Sequence, residues 1–188
     1  MQIIDNVFHE DCLVGMQKIP DKSVDCIICD LPYGKLTHLG WDNPLDCTKL
    51  WDQYNRICKD NAAVLLFGVE PFTSDIVMSN LKNYRQKLTW LKNIPSNVMN
   101  AKKQFMNWTE DILIFYKHLP TFNPQFWNNG KKRTLCINRN VNKNAQVFGK
   151  NGKAEGYTYY SGGEKSYPLT VLKFGLCPPN KRKFHHPT

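Results

Sequence analysis

The chain is short of acid where it is rich in base. Residues 117–188 carry 13 Lys and Arg against only Glu155 and Glu164, a net +11, whereas residues 1–116 carry 12 against 14, a net −2. So lopsided a distribution predicts a polyanion-binding surface on an otherwise ordinary domain, the plainer alternative being a solvated basic tail. It also counts against a nuclease, because metal-dependent cleavage needs clustered carboxylates. No apolar run approaches the roughly 18 residues of a membrane span. The opening MQIIDNVFHEDC has acids where a secretory signal carries bases, so a cytoplasmic protein without a membrane partner is expected. An even set of cysteines is lacking too. Seven are scattered, several within apolar runs (Cys26, Cys29, Cys58, Cys136), which predicts reduced thiols. Cys26 and Cys29 form a C-x-x-C, but three residues apart on a strand they face opposite sides and cannot share one ion. No internal repeat is present.

What is there is enough for a sizeable core. The 188 residues are 41% hydrophobic and 12% aromatic, predicting one domain or a domain with an appended subdomain. A short strand is expected within IIDNVFH and a short helix in CLVGMQKIP, ended by Pro20. Val24–Cys29 is a continuous apolar run, as in parallel strands covered on both faces. Leu50, Tyr54, Ile57 and Cys58 recur at helical spacing, with Asn61 suited to the helix end. AAVLLFG reads as a second buried strand stopped by Gly68, and PFTSDIVMSNLKNY as a helix with Pro71 in its first turn. RQKLTWLK and EDILIFYK are two further strands, about twenty mostly polar residues apart, and YPLTVLKFG is another. This alternation predicts an α/β fold with a mainly parallel sheet. Between Pro120 and Ser166 the composition turns to Asn, Gly, Lys and aromatics with little periodicity, as in a functional loop or small subdomain. Its aromatics Trp127, Tyr157, Tyr159 and Tyr160 suit either stacking on bases or a small core of its own.

The strand Val24–Cys29 ends in Asp30-Leu31-Pro32-Tyr33-Gly34. In doubly wound α/β sheets ligands sit beyond the carboxyl ends of the strands, where a polar rim is expected. A plain strand-to-loop exit would use the same residue types.

The likeness is wider than this motif. DCLVGMQKIPDKSVDCIICDLPYG resembles the amino-methylating DNA methyltransferases, whose signature is Asp/Asn-Pro-Pro-Tyr/Phe. Leu31 stands for the first proline, a variant of phage and prophage members. WDQYNRICKDNAAVLLFGVEPFTSDIVMSNL, WLKNIPSNVMNAKKQFMNWTEDILIFYK and YPLTVLKF continue the resemblance in order over nearly the whole chain. It implies a Rossmann-like S-adenosylmethionine-dependent methyltransferase fold, with residues 1–119 as catalytic half, 120–166 as target-recognition insert, and 167–188 as return strand and start of a cofactor-side motif. It also implies methyl transfer from S-adenosylmethionine to N6 of adenine, in preference to N4 of cytosine, in double-stranded DNA. An aspartate at the first motif position leans to adenine, since serine often stands there in cytosine enzymes.

The implied roles follow the chemistry. An exocyclic amino group is a poor nucleophile because its lone pair is delocalised into the ring. An acceptor pair such as the Asp30 carboxylate and the Leu31 carbonyl can hold its hydrogens and aim that lone pair. Pro32 stiffens the turn, and Tyr33 offers a stacking face to a base swung out of the duplex. Asp11 matches a family aspartate near the cofactor, although Glu10 stands where the family has glycine. Thr109-Glu110 stands where a His-Glu pair is usual. Lys131, Lys132, Arg133, Arg139 and Lys143 are the implied phosphate contacts, which position a duplex without specifying sequence.

His186, Pro187 and Thr188 match the opening of the cofactor-side motif, which in the family continues to a Phe-x-Gly-x-Gly turn. No G-x-G occurs in the sequence. The expectation is therefore an incomplete fold whose Val24–Cys29 strand is an exposed apolar edge. Such a chain would be completed by a second polypeptide or another copy of itself. The alternative is a non-catalytic DNA-binding remnant, and a bacterial or phage-infected cytoplasm is the implied setting.

Overall fold

The computed structural model describes residues 7–34, 42–43, 45–128, 134–137, 158–161 and 165–174. These fall into two compact units, one of residues up to Thr121 together with the strand near 172, the other Phe122–Leu169. In the first unit the elements run α1 (Cys12–Met16), β1 (Val24–Asp30), α2 (Cys47–Ile57), β2 (Cys58–Gly68), α3 (Phe72–Ser79), β3 (Tyr84–Ser96) and β4 (Asn107–Phe115). The second unit contains β5 (Trp127–Asn128), β6 (Thr134–Ile137), β7 (Thr158–Ser161) and β8 (Lys165–Ser166), and β9 (Val171–Lys173) returns to the first.

The sheet of the first unit has five strands in the order β1-β2-β4-β3-β9. The expected α/β class holds, but the sheet is mixed rather than mainly parallel. β1 and β2 are parallel, as are β3 and β9, whereas β4 runs antiparallel to both its neighbours. The reason lies in one connection. β3 and β4 are joined by ten residues that turn straight back, and a hairpin makes its strands antiparallel, whereas a helical crossover is required for parallel ones.

α2 begins where the Asp46 carboxylate accepts from the backbone N–H of Thr48 and Lys49, satisfying donors that the first turn leaves open. Its buried residues are Leu50, Trp51, Tyr54 and Ile57, one face at helical spacing. The helix ends earlier than Asn61, because Cys58 already pairs with Val24 and starts β2. Sheet pairing satisfies the backbone there as well as a further helical turn would. Pro71 precedes α3 as its cap residue rather than lying in the first turn. The expected strand in IIDNVFH lies largely outside the described residues, and its described end, residues 7–9, is not strand.

One face of the sheet is covered. Val64 and Leu66 of β2 and Leu113 and Phe115 of β4 point into a core shared with Met16 of α1, Leu50, Trp51, Tyr54 and Ile57 of α2, and Phe72 and Ile76 of α3. Leu66 and Leu113 are wholly buried, each contributing about 1.5–3 kcal/mol by removal from water. Val24, Ile27 and Cys29 of β1 lean on this core. The other face is different, and here the expected burial on both sides of Val24–Cys29 is corrected. Ile28 is 69% exposed and Cys26 is exposed, because all three helices feed the first core. Among the described residues β1 pairs with β2 alone and is an edge of the sheet.

In the second unit β5 pairs antiparallel with β8, and β6 with β7. The Trp127 indole N–H donates to the Tyr167 carbonyl, and the Phe126 and Tyr167 rings lie 4.7 Å apart. Tyr159 and Tyr160 lie on β7, while Tyr157 falls outside the described residues. Among the described residues no helix is long and apolar enough to cross a membrane.

Candidate active site

The carboxyl ends of β1 and β2 and the amino end of β4 meet at one rim. Asp30 pairs with Phe67, Phe67 with Ile112, and Ile112 with Leu88, so all four side chains share a row on the uncovered face. One step further out, Glu110 pairs with Trp90. Strand alternation then places Asp30, Phe67, Trp90, Lys92 and Glu110 on the same face, and the Phe67 and Trp90 rings meet edge to face at 6.3 Å. The strand that ends in Asp30 thus belongs to a wall carrying two more charged groups, Lys92 and Glu110.

Beyond Asp30 the chain turns over the rim. Leu31 is buried against the helix-side core, anchoring the turn. Tyr33 rests its ring on Phe72, centroids 5.2 Å apart and tilted 37°. Its hydroxyl donates to Asp30 Oδ1 at 2.5 Å, a short bond of the kind that a charged acceptor makes. Gly34 follows with φ at 71°, a left-handed conformation that glycine adopts without strain, and its N–H donates to Asp42 Oδ1 at 2.9 Å. Asp42 is buried. The motif is therefore tied at three points: Leu31 to the core, Tyr33 to Asp30, and Gly34 to Asp42.

The electrostatics of the loop are lopsided. Burial, then the hydrogen bond to Asp30, then the charges of Asp30, Glu110 and Asp42 push the Tyr33 phenol well above its usual range, so it stays a neutral donor. Among the described residues Lys92 is the one cation paired within this group. It is 7% exposed and its ammonium lies 2.8 Å from Glu110 Oε1. Such a partner offsets part of the cost of burying the lysine side chain.

At the end of β2, Gly68 lies against α3. A side chain there would meet the Thr73 hydroxyl oxygen at 2.8 Å, so glycine lets α3 close onto the strand. That oxygen is buried with no hydrogen-bond partner among the described residues.

The remaining expected site residues separate into two groups. Asp11 is described and serves as the cap of α1, its Oδ1 accepting from Leu13 N–H at 2.8 Å and Val14 N–H at 3.3 Å. His186, Pro187 and Thr188, and the basic residues Lys131, Lys132, Arg133, Arg139 and Lys143, lie outside the described residues. Asp42 and Lys92 were not singled out by sequence reasoning. Lys92 left one signal, a lysine at a strand position that shares a face with Leu88 and Trp90. Asp42 left none, because its contact with Gly34 spans a loop with no period. Among the described residues no group of His, Cys, Asp and Glu could hold a metal ion. A cavity of about 30 Å³, lined in part by Trp51, Tyr54, Asn80 and Tyr116, lies at the other end of the strands.

No family model matches the chain. Among solved structures, it is similar to the M1.HpyAVI–SAM complex, with 19% identity over 64% of this chain and 56% of that one, TM-score 0.41. It is also similar to the PvuII DNA methyltransferase, cytosine-N4-specific, with 12% identity over 59% and 49%, TM-score 0.45. TTHA0409, a candidate DNA modification methylase of Thermus thermophilus, matches at 17% identity over 61% and 53%, TM-score 0.43. The chain spans about half the length of these structures. At that level of likeness, function has to be read from the residues themselves.

Proposed function

We propose that this chain methylates DNA, transferring a methyl group from S-adenosylmethionine to an exocyclic amino group, N6 of adenine in preference to N4 of cytosine. The observation that carries the reading is the Asp30–Tyr33 loop, a carboxylate, a backbone carbonyl and an aromatic ring held on a rigid parallel strand at the sheet rim. Asp30 accepts one amino hydrogen and the Leu31 carbonyl the other, so the nitrogen lone pair turns out of the ring plane. Tyr33 stacks on the extruded base, for which its hydroxyl must first leave Asp30. Asp30 then takes the proton that the methylated nitrogen sheds.

S-Adenosylmethionine supplies a methyl group on a positively charged sulfur. The Asp30 carboxylate at the carboxyl end of β1 is the described group whose chemistry suits such a cation. Asp30 and Asp11 are the described residues that would hold the cofactor, together with His186, Pro187 and Thr188. For Asp11, both capping bonds fall on Oδ1. Lys131, Lys132, Arg133, Arg139 and Lys143 would hold the duplex phosphates. The edge position of β1, with Ile28 exposed, supports pairing with a further strand in the active assembly, from a second polypeptide or another copy.

The test is product analysis. Duplex DNA incubated with the chain and methyl-labelled S-adenosylmethionine is digested to nucleosides. Labelled N6-methyl-2′-deoxyadenosine is expected with the wild type and none with Asp30→Ala. Label on N4-methyl-2′-deoxycytidine would correct the target base, and equal label with both proteins would sink the assignment.

A further inference from the structure

Among the described residues, the β3–β4 hairpin exposes more apolar surface than any other turn of the first unit. Phe105 is 101% exposed and Met99 is 96% exposed, with Val98, Ile94 and Trp108 also at the surface. Such exposure in a soluble chain marks an interaction site when the residues lie together. The loop is built rather than slack. Asn97 takes a left-handed φ of 66°, which asparagine tolerates, and opens a 3-10 turn over Val98–Asn100. The Asn100 side-chain amide donates to Asn97 Oδ1 at 2.7 Å. Lys103 N–H and Gln104 N–H both donate to the Asn100 carbonyl, and the Ser96 hydroxyl to the Asn107 carbonyl.

Its charge names the partner. Residues 76–109 contain no Asp or Glu and six basic residues. Lys102 and Lys103 stand between Met99 and Phe105, and neither has an ion-pair partner among the described residues. An apolar tip flanked by lysines, with asparagine and glutamine around it, suits a duplex whose phosphates take the lysines while the tip enters between bases.

Its position gives the purpose. Asp111 pairs with Gly68 at the rim that carries Asp30, and β4 extends four residues further, to Asn107. At ~3.3 Å per residue the strand alone rises about 13 Å above that rim before the loop begins. We infer that the tip of the β3–β4 hairpin is a wedge, in which Phe105 and Met99 insert into double-stranded DNA beside the rim while Lys102 and Lys103 hold adjacent phosphates. The wedge would keep the duplex parted while a base is drawn to Asp30. In that purpose, though not in the DNA contact itself, the inference rests on the proposed methyl transfer.

The experiment uses the full chain and a mixed-sequence duplex, intact or with a one-base gap, with affinity read by fluorescence anisotropy across a salt series. Wild type should prefer the gapped duplex, where unstacking is already done. Met99→Ala with Phe105→Ala should weaken binding to intact duplex about tenfold, a stacking-sized loss, and abolish the preference. Phe105→Trp should retain it. Lys102→Ala with Lys103→Ala should weaken both duplexes alike and lower the log–log salt slope by about 2. Unchanged affinity, preference and slope in all these variants would overturn the wedge, and so would no duplex binding by the wild type. Sedimentation showing a self-association that Phe105→Ala abolishes without DNA would overturn it in favour of a contact between copies. Methyl transfer is assayed on the same preparations. Transfer with unaltered duplex binding in the variants rejects the wedge alone, whereas hairpin-dependent binding without transfer rejects methyl transfer by this chain alone and leaves the wedge standing.

Discussion

The two faces of the central sheet are made of the same strands and do opposite things. On the covered face Val64, Leu66, Leu113 and Phe115 alternate with the residues of the open face, and three helices close over them. On the open face stand Asp30, Glu110, Lys92, Phe67 and Trp90, with Ile28 left at the surface. The difference shows where each kind of residue is tolerated. A packed face admits no unpaired charge, so the charges on the helix side, Lys87 and Asp111, are paired with each other, while the other face carries Asp30, Glu110 and Lys92. Even there the ions come with partners: Lys92 with Glu110, Asp30 with the Tyr33 hydroxyl, Asp42 with the Gly34 N–H.

The sharpest way to break this division is to change one residue on each face. Asp30→Ala should lower methyl transfer by about a thousandfold or more, as loss of a principal hydrogen-bonding group in a site does, with the denaturation midpoint little changed. Leu113→Ala, on the same sheet but inward, should cost about 2–5 kcal/mol in urea unfolding through its cavity. If the two exchanged effects, the faces would have been assigned wrongly.

Lys92→Met tests whether the open face is held by charge. Glu110 would lose its ammonium partner in a half-buried place, and about 2 kcal/mol of stability should go with it. Lys92→Met with Glu110→Gln should recover most of that loss in the same unfolding assay. Recovery absent from the double variant would mean that the lysine stem, not the ion pair, supports the wall.

The alkaline limb of stability separates the faces again. Tyr54 on the covered side and Tyr33 on the rim both have phenols raised above their ordinary value of 10.0, chiefly by burial. The unfolded chain therefore loses these protons first. Their contribution is complete below pH ~10 and declines as pH rises above it toward the folded values. Tyr33→Phe should make that decline shallower. An unchanged alkaline slope in melts taken from neutral to strongly alkaline pH would show that the Tyr33 phenol is not held as described.

The smallest effect belongs to Thr73. Replacing it by valine removes a buried hydroxyl with no partner among the described residues and keeps the shape. Stability should stay level or rise by about 1 kcal/mol. A loss above that size in calorimetric melting would point to a partner for the hydroxyl.

How much of this was legible in the sequence follows the range of each interaction. The helix at Leu50–Ile57 and the strand at Val24–Cys29 are local patterns, one of period and one of a continuous apolar run, and both elements form there, the strand running one residue further to Asp30. The boundary at Cys58 was misplaced because its helical spacing continues past the point where pairing with Val24 takes over. The reversal between β3 and β4, and with it the meeting of Lys92 and Glu110, depends on cross-strand register, which a single sequence leaves open. The Tyr33–Asp30 bond could have been guessed from their spacing of three around a proline turn, whereas the Asp42–Gly34 contact could not. Ile28 shows the opposite failure. An apolar residue in an apolar run reads as buried, and only the arrangement of the helices reveals it at the surface.

The measurement that bears most directly on the central claim is a paired assay on one preparation of Asp30→Ala and one of wild type, following urea unfolding and labelled methyl transfer to duplex DNA side by side. Coincident unfolding curves are expected, with transfer only in the wild type. Transfer by Asp30→Ala at the wild-type rate, with the fold intact, would contradict that claim.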